Sequence, residues 1–260
     1  MIPKKIHYCW FGRNPKPKLA KKCIRSWKKH CPDYEIIEWN EDNFDLNAAP
    51  LYVRQAYEAQ KWAFVTDYVR LKVVYDHGGI YMDTDVELLK NLDFLLSYNA
   101  YFGLEDINYV ATGLGFGAEK ATCVLREMME DYEDLPFILP DGSYDSTPCP
   151  QRNTNALLRC GLQKNDIKQI LDGNILILPT VYMCPVSSVD GKNKKTKETM
   201  SIHWFSASWQ TKEQQKRRRE MVNRIKKVNR IHFITHLPNR MLMTILDRER
   251  YEDLKKRLKK

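Results

Sequence analysis

Trp62–Glu87, WAFVTDYVRLKVVYDHGGIYMDTDVE, is the stretch from which the fold is read. Ala63, Val65, Tyr68, Val69, Leu71, Val73 and Val74 predict a helix buried on a broad face. Asp67 and Arg70, three apart, share one side of it. Gly78-Gly79 ends the helix, as residues able to adopt positive φ commonly do. Ile80-Tyr81-Met82 follows as a short buried strand, closed by Asp83 and Asp85. Strand side chains alternate, so Asp83 and Asp85 are expected to aim together while Thr84 faces away. Two carboxylates at the end of an apolar strand are costly unless a cation or donors meet them. A hard divalent cation with oxygen ligands is the simplest answer.

The string Asp67-Tyr68-x-Arg70, then Gly78-Gly79-Ile80-Tyr81-Met82-Asp83-Thr84-Asp85, resembles the core signature of the DXD glycosyltransferases of family 32. Those are sugar-nucleotide enzymes related to the yeast initiating mannosyltransferases and, more distantly, to the clostridial glucosylating toxins. A lone D-x-D arises often by chance; the full string is specific. The competing reading, an acidic surface turn, has no need of an Asp/Arg pair on a buried helix. The resemblance extends over about residues 3–210. It implies an α/β fold: a GT-A-like, single Rossmann-type nucleotide-binding domain with a mixed sheet, followed by C-terminal basic helices. The domains expected are 1–210, catalytic, and 211–260, a basic helical extension.

Before the central stretch, residues 3–12 read as a strand with Ile6, Tyr8 and Trp10 on one face and His7, Cys9 and Phe11 on the other. Lys18–Lys29 reads as an amphipathic helix and Tyr34–Trp39 as a second strand, a βαβ pattern with parallel pairing. A short helix over 50–61 leads into the centre. After Asp85, a strand over Val86–Leu88, a helical turn at Leu92–Leu96 and sheet or loop over 100–104 and 108–116 are expected. Gly113, Gly115 and Gly117 are candidates for close approach of backbone to a ligand. A helix over 121–132, a long loop over 133–150, a helix after Pro150 and a strand over 175–179 complete this part. Late in the chain, Ser201-Ile202-His203-Trp204-Phe205-Ser206-Ala207-Ser208-Trp209 resembles the second signature of the family, a histidine followed by a Ser-Trp pair.

Residues 211–260 hold 17 Lys and Arg against 6 Asp and Glu, a balance of +11, while the other 210 residues balance at −2. The basic character therefore belongs to the tail. Apolar residues between Ile231 and Leu246 beside clustered cations suit peripheral contact of 211–260 with an anionic membrane. Seven cysteines without C-x-x-C spacing argue against a disulfide framework or a zinc knuckle. The absence of an apolar signal core at Met1–Lys5 or of a membrane-length apolar run makes the expected location cytoplasmic, at the inner face of the cell membrane for a member of this family.

The resemblance further implies site roles. Trp10 stacks on the nucleobase, with Tyr8 and Cys9 contacting it through backbone. Asp67 accepts from sugar hydroxyls, Arg70 holds sugar or phosphate, and Tyr81 lies near ribose or phosphate. Asp83 is shared between metal and donor hydroxyls, Asp85 is a direct ligand, and His203 completes a Mn²⁺ or Mg²⁺ shell. Ser208 and Trp209 touch diphosphate. The donor implied is a nucleotide-sugar, UDP-sugar favoured, and the acceptor a glycan or lipid-linked oligosaccharide in surface polysaccharide synthesis, transferred with retention. Two rivals stand beside this. A haloacid dehalogenase-type phosphatase also opens on D-x-D, but Glu87 holds the place where Thr or Val is usual. A non-catalytic scaffold with a nucleic-acid- or membrane-binding tail is the other; Phe233 and Tyr251 alone offer the tail no stacking platform, so no nucleic-acid partner is expected.

Overall fold

A computed structural model describes residues 1–105, 109–187 and 192–206, with positions 213, 216, 217, 220–225 and 257 beyond them. The chain separates into two compact units, Met1–Ser188 with Lys192–Trp209, and Val189–Gly191 with Gln210–Lys260. Most of the second lies outside the described residues; the few described positions over 211–260 are helical, and the rest of the expected basic helices falls outside them.

In chain order the elements are β1 (Lys5–Cys9), α1 (Lys18–His30), β2 (Glu35–Trp39), α2 (Leu51–Glu58), α3 (Trp62–His77), β3 (Gly79–Tyr81), β4 (Val86–Leu88), β5 (Ala100–Gly103), β6 (Phe116–Ala118), α4 (Cys123–Glu130), α5 (Cys149–Arg159), β7 (Gln169–Leu171), β8 (Ile175–Leu178), α6 (Thr180–Met183) and β9 (Ser201–His203). Among the described residues seven strands form a mixed sheet in the order β2-β1-β3-β6-β5-β8-β7. The β1/β2, β1/β3 and β5/β8 pairs are parallel, as a βαβ start predicts, and the other pairs are antiparallel. Alternation along β1 sends Ile6 and Tyr8 into the layer shared with Trp27 of α1, and Cys9 and Phe11 into the layer beneath α2 and α3.

Three differences from the sequence reading have local causes. The helix expected over 50–61 stops at Glu58 because Gln60 takes a left-handed backbone, φ 56°, and restarts the chain as α3. The long loop over 133–150 contains a hairpin: Leu139 N–H donates to Ser143, Asp145 N–H to Phe137, and Gln55 Oε1 accepts from the Phe137 and Ile138 amides. The strand before the acids ends at Tyr81, so Asp83-Thr84-Asp85 is a turn, closed by the Val86 amide on the Asp83 carbonyl at 3.0 Å. The two carboxylates converge through that turn and not through strand alternation.

Gly78 (φ 63°) and Gly79 (φ 116°) turn α3 into β3, and a Cβ at Gly79 would strike the His7 ring. His7 is fully buried there. Its Nε2–H donates to the Gly78 carbonyl at 2.8 Å, and its Nδ1 accepts from Trp39 Nε1 at 3.0 Å, so only the neutral ring satisfies both. Burial drives the His7 pKa down to about 4, against the pull of the Gly78 carbonyl. The contribution of neutral His7 is complete above pH 6.5 and is lost as pH falls toward 4. Urea titrations of wild type and His7→Gln should therefore diverge over that window, the wild type losing about 3 kcal/mol more than the variant.

Candidate active site

The site forms beyond the C-terminal ends of the parallel neighbours β1 and β3, the usual ligand position in open α/β sheets. α3 delivers Asp67 and Arg70 from below. Both side chains are buried, and Arg70 spends its donors within the protein: on Asp67 Oδ1 at 3.1 Å, on Asp83 Oδ1 at 3.4 Å, on the Thr66 carbonyl at 3.0 Å and on Thr112 Oγ1 at 3.4 Å. Its guanidinium lies 5.2 Å from the Tyr81 ring centroid, and the Tyr81 hydroxyl donates to Asp83 Oδ1 at 2.9 Å. Burial raises the Asp67 carboxyl above its ordinary range, opposed by the Arg70 charge. Arg70 itself is held well above its ordinary value: burial works against the charge, and Asp83, Tyr81 and Asp67 overcome it.

β4 leaves the main sheet and pairs antiparallel with β9, setting Val86 opposite His203. That ladder lays His203 on Asp85, with Nε2 at 3.0 Å from Oδ1. The Ser206 amide donates to Asp85 Oδ2 at 2.8 Å and the Trp204 amide to the Asp85 carbonyl at 3.1 Å. Burial would raise the Asp85 carboxyl, but the His203 charge, its hydrogen bond and the Ser206 amide hold it well below the usual carboxylate range. Burial likewise pushes His203 down, and the Asp85 charge and hydrogen bond reverse the direction.

One ligand atom each from Asp83, Asp85 and His203 can lie within 4.8 Å of the others. Two carboxylates and an imidazole suit a divalent ion such as Mn²⁺. His203 Nδ1 is buried without a partner among the described residues. The donor set thus fits the expected ion, and the hydrogen bond between Asp85 and His203 occupies the ligand atoms that the ion would take.

The remaining expected residues fall as follows. Cys9 is buried on the same side as Tyr81, where burial pushes its thiol up to about 12. Trp10 is half-buried at the end of β1, its Nε1–H donating to the Asn14 carbonyl at 2.6 Å and Lys16 standing 5.7 Å from its ring. The Tyr8 side chain points to the opposite layer and donates to Glu38 at 2.5 Å, leaving its backbone at the strand end. Ser208 and Trp209 lie outside the described residues.

Four further residues contribute contacts at the site, and Gly113 acts otherwise than expected. Thr112 binds Arg70 and accepts from Asn153 Nδ2 at 3.0 Å, while Asn153 Oδ1 is buried without a partner among the described residues. Cys149, at the start of α5, lies 3.8 Å from Arg70 through its sulfur. Arg152 pairs with Asp145 and stacks over Tyr52 and Tyr132. Gly113, named for its flexibility, acts through its size: a Cβ there would be driven into the Asp83 carboxylate and crowd Arg70.

Residues 17–102 match the family described as the glycosyltransferase sugar-binding region containing a DXD motif. This segment is similar to the DXD-motif region of glycosyltransferases. It includes Asp67, Arg70, Asp83 and Asp85 and stops short of Gly113, Asn153 and His203. Inositol phosphoceramide mannosyltransferase 3 of Schizosaccharomyces pombe is 34% identical over 104 residues, 38% of this chain and 29% of that protein. Inositol phosphoceramide mannosyltransferase 1 of the same organism is 29% identical over 106 residues, 37% of this chain and 32% of its own length. The chain thus spans about a third of those curated relatives. Among solved structures, the PaToxG glycosyltransferase is similar at 19% identity and a TM-score of 0.48, over 61% of this chain and 69% of that one. A glycosyltransferase involved in glycosylation of the major capsid of PBCV-1 is similar at 13% identity and a TM-score of 0.46, over 85% and 98%.

In a Gly113→Ala variant, the added methyl group should displace the Asp83 carboxylate. Calorimetric titration with Mn²⁺ should give an affinity at least about tenfold weaker than wild type, of the order lost when a neighbour of a metal ligand is disturbed. The thermal midpoint should move little by comparison.

Proposed function

We propose that the chain is a retaining glycosyltransferase that moves a sugar from a nucleotide-sugar, UDP-sugar favoured, to a glycan or lipid-linked oligosaccharide acceptor. The observation that carries this reading is the convergence of Asp83, Asp85 and His203 beside the Asp67/Arg70 pair, four of the five within the matched DXD region. A bound Mn²⁺ or Mg²⁺ would supply positive charge to the departing diphosphate.

The chain's own residues do the rest. Arg70, neutralised from both sides, holds Asp67 and Asp83 at fixed separation, which gives donor hydroxyls two oriented acceptors. Trp10, half-exposed at the end of β1, offers a ring for the base, with the Tyr8 and Cys9 backbone beside it. Transfer proceeds on one face: the acceptor oxygen bonds to the anomeric carbon as the bond to the diphosphate breaks, and the leaving phosphate oxygen takes the acceptor's proton. NMR of early product should give the retained anomer, and an inverted product would overturn this course.

The reading extends to surface polysaccharide synthesis at the inner face of the membrane, supported by the +11 balance of residues 211–260. The domain division proposed is 1–210 for the catalytic unit and 211–260 for the basic extension. Removal of 211–260 should lower sedimentation with anionic liposomes more than it lowers donor hydrolysis.

The deciding experiment is calorimetric titration of UDP and of GDP, each with Mn²⁺ and with EDTA, on wild type and Asp85→Ala. One nucleotide should bind in a manner that needs both metal and Asp85. Absence of nucleotide binding under every condition would sink the transferase reading.

A further inference from the structure

Helix α1 carries six exposed cations, Lys18, Lys21, Lys22, Arg25, Lys28 and Lys29, and no acid in 13 residues. Their spacing keeps them on one face, opposite buried Ala20, Cys23 and Trp27. The stripe is roughly 17 Å long. Lys22 pairs with Glu87 at 2.8 Å; among the described residues the other five have no carboxylate within ion-pair distance. Like charges three and four apart destabilise a helix. A surface selected only for solubility would mix the two signs. The Lys22–Glu87 pair and the position of Lys28 and Lys29 in the last turn offset only part of that cost.

The surroundings continue the sign. α1 packs on β4, and just after β4 Lys90 donates to the carbonyl of Lys197 in an exposed lysine-rich loop. The acids at the margin are engaged: Glu87 with Lys22, Asp33 and Asp93 with Lys4, and Glu198 with Tyr182.

Large aromatic side chains flank the stripe, one beside Lys22 in its N-terminal half and one in the turn tied to its C-terminal end. Trp204 is 41% exposed, lies 5.5 Å from Lys22 Nζ and donates its indole N–H to Glu87 at 2.9 Å. Phe94 is 50% exposed, in a turn tied to the end of α1 by Asn91 Nδ2 on the His30 carbonyl at 3.1 Å. Cations flanked by exposed rings, one of them an indole with its polar edge satisfied, match the headgroup layer of an anionic bilayer. A single-stranded nucleic acid asks instead for successive stacking rings along the groove, and the middle of this stripe has none.

We propose that the exposed face of α1, with Trp204 and Phe94 beside it, docks on an anionic lipid surface. This contact is distinct from the tail at 211–260 and stands whether or not the site transfers a sugar. Trp204 follows His203 directly, so docking would hold the Asp85/His203 centre at the edge of the headgroup layer, within reach of a substrate carried by lipid.

The test is sedimentation of the full chain with phosphatidylcholine vesicles, with and without phosphatidylglycerol. Lys21→Gln/Arg25→Gln/Lys28→Gln/Lys29→Gln should reduce partition onto the anionic vesicles by on the order of a hundredfold, since each cation near such a surface contributes measurably. The corresponding set with the lysines changed to Arg should retain binding, and nucleotide affinity should be unchanged in both, which separates this test from that of the transferase reading. As a second readout, brominated phosphatidylglycerol should quench wild-type tryptophan emission more than that of Trp204→Phe. Equal partition of wild type and the Gln variant, equal quenching in both proteins, or binding to an oligonucleotide with none to vesicles would each overturn the proposal.

Discussion

A guanidinium deep in a protein survives only where its charge is met, and Arg70 is met on several sides at once. Asp67 and Asp83 supply the opposite charge, Thr66 and Thr112 accept its remaining protons, and the Tyr81 ring covers its face. The partners come from four places: α3 itself, the end of β3, the turn after it and the turn Thr112–Leu114 before β6. Removal of Arg70 would leave two neighbouring carboxylates without their shared counter-charge, at a cost of the same order as a large core truncation. The site is therefore stiff for the same reason that the centre of the fold is stable.

Asp85 is held in a different way. It sits at the start of a two-stranded ladder separate from the main sheet, and its carboxylate is met by a ring and an amide from the far end of the described chain. The Asp85 charge and hydrogen bond hold His203 above its ordinary pKa against the effect of burial. Asp83 belongs to the Arg70 network and Asp85 to the His203 ladder. The turn joining them is what brings two independent electrostatic arrangements to one point.

The local parts of this arrangement were legible in the sequence. The 3.6-residue apolar pattern of α3, the glycine pair and the two acids state their own geometry over fewer than thirty residues. The sense of their convergence was misread, because a three-residue strand gives no sign of ending before Met82. His203 was found through a resemblance of its surrounding motif, and its pairing partner Val86, 117 residues earlier, carries no local signal. Thr112 and the Arg152/Asp145 pair were beyond reach for the same reason: an ordinary residue becomes part of a site only through what tertiary packing sets against it. Strand β7, short and half-exposed at a sheet edge, lacked the alternation that reveals a strand.

The β4/β9 clasp also has a bearing on how the protein is made. Synthesis runs from the N-terminus, and domains begin to form while the chain is still emerging. Asp85 reaches its place in the turn when β3 and β4 are out, yet the strand that neutralises it follows more than a hundred residues later. A nascent chain ending before Ser201 holds an acidic turn beside a buried Asp/Arg pair with no counterpart for Asp85. The Asp83, Asp85 and His203 cluster can therefore be complete only after synthesis has passed β9.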